Sequence, residues 1–106
     1  MTGYKFGDIV LIEFPKTDVE ASIKRPAVVL LDIGDEDIMA ARITTHPVRG
    51  KGDLAVEEWE SVGLRATSTI RISKIATNKS LVIRKLGELT EKGSESVRRL
   101  FSVLLD

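Results

Sequence analysis

The stretch KRPAVVLL, residues 24–31, sets Lys24 and Arg25 directly against a proline and an apolar run that reads as buried strand. Taken alone, Arg25 reads as a surface residue whose aliphatic stem covers a strand edge. Lys24 reads equally as a contact to a phosphate backbone or as a solvated flank. His46 follows Thr44 and Thr45 in a loop, where an imidazole can act as general base or acid for a gain of about 10²- to 10⁴-fold. An exposed loop histidine ahead of a proline more often has no such role. Trp59 lies in EEWES, and an exposed aromatic can stack an RNA base for about 1–3 kcal/mol. Asp53, Glu57, Glu58 and Glu60 surround it in sequence and would repel phosphates, which favours packing onto the body of the fold or a partner's apolar side chain. Tyr4 and Phe6, ahead of the first apolar run, read as core or subunit contacts.

Charge along the chain is uneven although its total is zero, from 16 basic and 16 acidic residues. Residues 53–60 hold four acids and no base, whereas Ser61 to Gly87 holds Arg65, Arg71, Lys74, Lys79, Arg84 and Lys85 with no Asp or Glu. A neutral total argues against wholesale nucleic-acid coating, and the bunching asks for a local anionic partner. The absence of Cys rules out a disulfide framework and suits a reducing cytoplasm, and one His without Cys is too few soft ligands for structural zinc. No metal or cofactor site is expected. The opening MTGYKFGDIVLIEF has neither the h-region of a signal peptide nor the length of a membrane span.

These residues need a scaffold, and 106 residues at 42% hydrophobic suit a single domain, 1–106, with one core. Short apolar runs broken by turn residues give an all-β rhythm. Strands are expected at about Ile9–Phe14, Pro26–Asp32, Asp37–Thr44, Leu54–Val56, Ser68–Ile72 and Ser80–Arg84. Lys16 to Lys24 reads as a long loop with Arg25 at its exit, Pro26 as the first strand residue, and Glu57 to Leu64 as a turn of helix ending at Gly63. The period then changes: Val97, Leu100, Phe101 and Leu104 form one helical stripe, with Thr90, or Ser94 for a shorter helix, as N-cap. That stripe should cover one opening or face of a small barrel.

In order and spacing, GDIVLIEFP, KRPAVVL, ARITTH, GLRATSTIRISKIATNKSLVIRKLGEL and the terminal amphipathic segment resemble the MazF/PemK family of type II toxin-antitoxin endoribonuclease toxins. The resemblance spans nearly the whole chain. It implies an SH3-like β-barrel of about five to seven short antiparallel strands with a C-terminal α-helix, a cytoplasmic homodimer with no membrane contact, and a cognate antitoxin protein. It implies sequence-specific cleavage of single-stranded RNA, usually messenger RNA, without metal or cofactor. The family's catalytic pair matches Arg25 and Thr44, and Arg71 matches a phosphate-binding arginine. Read from their own chemistry, Thr45 and His46 are accessory candidates, although the family does not generally use a histidine there, and Lys24, Lys74 and Lys79 are candidate RNA contacts.

The implied chemistry is sound for those side chains. With the adjacent 2′-OH as nucleophile, the protein has only to position the phosphate, stabilise its nonbridging oxygens and handle two protons. A guanidinium fork matches two of those oxygens at once, and a threonine hydroxyl can donate to a third. The chain departs from the family where some members carry an aspartate late in the sheet, because Arg71-Ile72-Ser73-Lys74 offers no acid. Two other readings share the fold: a topoisomerase poison like CcdB, acting through its C-terminal helix, and a catalytically silent module that binds RNA or antitoxin.

Overall fold

The structure is a computed structural model that describes the backbone of residues 3–15 and 22–106, and their side chains except at 14, 15, 22 and 73–77. Six strands, β1 (Asp8–Pro15), β2 (Ser22–Leu31), β3 (Asp37–Thr44), β4 (Asp53–Val56), β5 (Ser68–Asn78) and β6 (Val82–Glu88), form one sheet in the order β4-β5-β3-β2-β1-β6. Every pairing is antiparallel. A 3₁₀ turn, Lys79–Leu81, links β5 to β6, and α1 (Glu91–Leu105) closes the chain. Among the described residues no helix is long and apolar enough to cross a membrane.

Both faces of the central strands are buried, which explains why the sequence shows continuous apolar runs and not clean alternation. Ile9, Val28, Ala41, Ile43 and Ile70 point into one core with Val62, Leu64 and Val97. Their neighbours Val10, Ile12, Ala27, Val29, Ile38 and Ala40 form a second core on the opposite face, against Tyr4, Leu81 and Val82. At roughly 25 cal/mol per Å² of apolar surface removed from water, such two-sided burial is the main force on the sheet.

The sheet curls until its ends meet. The turns that follow β4 run against β6 so closely that a Cβ on Gly87 would strike the Val62 carbonyl, and one on Gly63 the Leu86 carbonyl. Gly63 also has φ of 92°, where side chains are strained. The helical turn expected over Glu57–Leu64 is therefore a set of turns, fixed by Ser61 N–H to Glu58 O at 3.1 Å and Leu64 N–H to Trp59 O at 3.0 Å.

α1 lies over the first core as the stripe predicts. Val97 is fully buried and Leu100 and Phe101 pack against the same cluster, whereas Leu104 is 40% exposed. Thr90, not Ser94, is the N-cap, and its Oγ1 accepts from Gly93 N–H at 3.1 Å. Arg98 stands 4.4 Å over the Phe6 ring.

β6, expected at Ser80–Arg84, runs Val82–Glu88 because its pairing with β1 extends to Asp8–Glu88. β2 and β5 differ from expectation for the same reason, that pairing overrides local polarity. β2 begins at Ser22, paired with Pro15, so Lys24 and Arg25 are interior to a strand and not at a loop exit. Pro26 is thus not the first strand residue; pairing of β2 with β3 begins just after it, at Ala27, where its missing N–H costs that ladder nothing. β5 continues past the polar Ser73-Lys74 because its register to β3 jumps from Arg42–Arg71 to Ala41–Ile75, leaving three residues bulged between the two pairings.

Candidate functional site

Residues paired across neighbouring strands project from the same face of a sheet. Asp53 pairs with Arg71, Arg71 with Arg42, and Arg42 with Ala27. The next row on that face runs Ala55, Thr69, Thr44. Carrying the β2–β3 register two residues beyond Ala27–Arg42 sets Arg25 across from Thr44, and on its other side Arg25 pairs with Ile12. The polar ends of β2, β3 and β5 therefore meet at one end of the face whose middle is the second core.

Arg42, Thr44, His46, Arg49 and Arg71 line a cleft of about 240 Å³ there. Three of these five residues are arginines, and Asp53 pairs with one of them, Arg71, so the lining is cationic. Arg71 is 7% exposed and grips Asp53 with both ends of its fork, Nε to Oδ1 at 3.0 Å and Nη2 to Oδ2 at 3.0 Å. Asp53 Oδ2 also accepts from Arg49 N–H at 3.1 Å. Arg71, with the Arg49 N–H adding to it, holds the Asp53 carboxyl below the usual carboxylate range against the opposing effect of burial. Asp53 in return raises the Arg71 guanidinium further above its ordinary value. Both groups stay charged near neutral pH, and Asp53 ties the 46–52 loop to the sheet.

Thr44 is half-buried at the end of β3, and its Oγ1 accepts from His46 N–H at 3.2 Å. A hydroxyl that already accepts keeps its own hydrogen to donate outward. Arg25 is exposed, so its side chain is open to solvent. On the continued register its strand position is one strand gap from that of Thr44, roughly 4.8 Å.

The other expected site residues divide. His46 is exposed and lines the cleft, and Thr45 is exposed just beyond the end of β3. Lys24 is exposed but projects from the opposite face to Arg25, across from Glu13. Lys79 sits next to Asn78, which pairs with Asp37 at the far end of β3 from Thr44, a strand length of about 20 Å at roughly 3.3 Å per residue. Its Nζ lies 2.8 Å from Asp32 Oδ1. Lys74 lies outside the described side chains. Trp59 is half-buried and packs against the first core, as expected. Arg42, Arg49 and Asp53 were not foreseen; strand alternation places Arg42 on the face of Thr44 two residues away, and that signal is in the sequence. Among the described residues no three His, Cys, Asp or Glu side chains group to hold a metal ion.

A second groove of about 550 Å³ adjoins the cleft and shares His46 with it. Thr45, Pro47, Val48, Trp59 and the start of β5 line it.

No protein-family model matches the sequence, and no curated protein matches it. Solved structures do. An endoribonuclease from a mycobacterial species superposes with a TM-score of 0.73 at 19% identity, covering 99% of this chain and 93% of its own. An endoribonuclease in complex with its cognate antitoxin, also from a mycobacterial species, gives a TM-score of 0.73 at 18% identity, over 94% and 92% of the two chains. The curled six-stranded sheet with its C-terminal helix is the fold of these endoribonucleases, shared over nearly the full length of both chains.

Proposed function

We propose that this chain is a toxin of the MazF/PemK kind, a metal-independent endoribonuclease that cuts single-stranded messenger RNA at a short sequence and is neutralised by a cognate antitoxin. The observation that carries this reading is the cationic cleft lined by Arg42, Thr44, Arg49 and Arg71, toward which the β2–β3 register, continued past its last pair Ala27–Arg42, brings Arg25. The shared fold supports it, since one neighbour is an endoribonuclease and another is bound to its cognate antitoxin.

In this reading the Arg25 fork holds two nonbridging oxygens of the scissile phosphate, and Thr44 Oγ1, polarised by the bond it accepts from His46 N–H, donates to the phosphate. Arg42 and Arg49 add positive charge near neighbouring phosphates. The ribose 2′-oxygen forms a new bond to phosphorus while the bond to the 5′-oxygen breaks. The 2′-OH proton passes to a base and the departing 5′-oxygen takes up a proton, leaving a 2′,3′-cyclic phosphate and a 5′-OH. The His46 imidazole lines the cleft and can carry one of these protons. Stabilising the phosphorane charge is ordinarily the largest single contribution in such a site, and removing one preorganised donor typically costs about 10²- to 10³-fold. A homodimer would set two such cationic edges toward one strand of RNA.

Induction in a bacterial host tests the assignment. Wild-type protein should arrest growth and leave truncated messengers with 5′-OH ends, and Arg25→Ala, altered at an exposed side chain, should accumulate without either effect. Equal arrest by both proteins would defeat the assignment of Arg25.

A further inference from the structure

We propose that the larger groove beside the cleft receives a nucleobase of the RNA, that of the nucleotide adjoining the phosphate held at Arg25 and Thr44. This rests on the endoribonuclease reading above and names how its site reads sequence.

The groove is built unlike the cleft it joins. The cleft is lined by guanidinium groups, whereas the groove has apolar walls from Pro47, Val48 and Trp59 and a hydroxyl lining from Thr45, Thr67 and Thr69. Its volume of about 550 Å³ falls in the range of small-ligand sites, roughly 300–1,000 Å³. Apolar walls with a few polar groups are what a flat heteroaromatic ring needs. Hydroxyls can donate or accept and so can meet either kind of base edge.

Position ties the groove to the chemistry. Ala55 and Thr69 line it and lie in the same cross-strand row as Thr44, Thr69 one strand spacing of roughly 4.8 Å away and Ala55 two. A nucleotide whose phosphate sits at Thr44 can therefore lay its base over Thr69. His46 borders both spaces.

Trp59 is suited to stack that base. Part of its ring is anchored in the first core, its carbonyl is held by Leu64 N–H at 3.0 Å, and its remaining surface lines the groove. An anchored ring spends little entropy on binding. The surrounding acids, an objection to phosphate binding here, become an orienting device for a base. Glu57 borders the groove, with its carboxylate 3.5 Å from Lys92. The Glu57 carboxylate at the groove and the guanidinium groups at the cleft turn the phosphates toward the cleft and the uncharged base toward the groove.

Trp59 is the single tryptophan, so its fluorescence reports on the groove without labelling. Wild-type protein is titrated with non-cleavable 2′-O-methyl RNA pentamers of each base, and cleavage sites on long RNA are mapped in parallel for wild type and Thr67→Val. Thr67 is exposed, so its replacement spares the core. Trp59→Phe and Trp59→Ala lack the reporting indole, so their binding is read by the anisotropy of a dye-labelled pentamer; Trp59→Ala should weaken it about 5- to 150-fold, and Trp59→Phe, which keeps an aromatic wall, should weaken it less. The expected result is saturable quenching that ranks the bases, and a change on Thr67→Val in the base favoured next to the cut. Cleavage by wild type with unchanged emission, and the same sites from Thr67→Val, overturns the groove and leaves the endoribonuclease standing. Quenching without cleavage supports the groove and overturns the nuclease reading. Neither signal overturns both.

Discussion

Arg71 and Lys79 show how little a basic residue's type says about its task. Both belong to an acid-free segment, yet Arg71 closes on Asp53, 18 residues earlier, and Lys79 on Asp32, 47 residues earlier. Nothing local marks these partners. Arg25 and Thr44 stand out in the sequence only because their blocks keep a family-like spacing, whereas the place of Arg42 on the cleft face follows from alternation two residues before Thr44. Thr44→Val keeps a strand-forming shape and removes only the hydroxyl, so it should lower kcat by about 10²- to 10³-fold with an unchanged thermal midpoint. Thr44→Ser should recover much of the loss, and a Thr44→Val enzyme of wild-type rate would remove the hydroxyl from the mechanism. Asp32 offers a separate test, of stability alone. It accepts from Lys79 Nζ at 2.8 Å, Tyr4 N–H at 2.8 Å and Gly34 N–H at 2.9 Å, and these bonds, Lys79 first, pull its carboxyl down to about 2 from 3.8. Because the folded value is the lower one, its contribution is complete above the ordinary carboxylate range and fades as pH falls toward 2. Asp32→Asn should therefore lower Tm at pH 7 by roughly 5 °C or more and flatten the loss of stability between pH 4 and 2. An unchanged acid limb would contradict this.

At the scale of elements, apolar runs located the strands and the 3.6-residue stripe located α1, since burial needs the same pattern wherever the element sits. β3 matches expectation at both ends, because Gly34 to Glu36 and Thr45-His46-Pro47 are strong turn signals in the chain itself. β2 and β5 run longer than their local composition because partner strands hold their polar ends in the sheet. The turn over 57–64 is shaped by β6, more than twenty residues on, and helical composition was a poor guide there. The closing contact gives a sharp prediction. Gly87→Ala places a methyl group against the Val62 carbonyl, where backbone must move, and should cost on the order of 1–3 kcal/mol as overpacking does. Gly50→Ala, with open space around it, should leave urea unfolding almost unchanged. Equal midpoints for the two variants would mean that the sheet does not close at Gly87.

For the molecule as a whole, a net charge of zero conceals a cationic edge set on one end of a sheet face. Arg71 is closed on Asp53, and Lys79 on Asp32 near the opposite end of β3; in the proposed reading Arg25, Arg42 and Arg49 are the side chains that approach phosphates. At about −0.7 per contact for single strands, three contacts per site give a salt slope of roughly −2, whereas all six cations of the acid-free segment would give about −4. Fluorescence titration of a non-cleavable RNA from 50 to 400 mM salt separates these values. The most direct test of the whole account is incubation of a long single-stranded RNA with purified protein in EDTA, wild type beside Arg25→Ala, with the product ends identified chemically. The account predicts discrete cuts by the wild type alone, ending in 2′,3′-cyclic phosphate and 5′-OH. Intact RNA with the wild type, or cuts of equal efficiency from the folded Arg25→Ala protein, would contradict it.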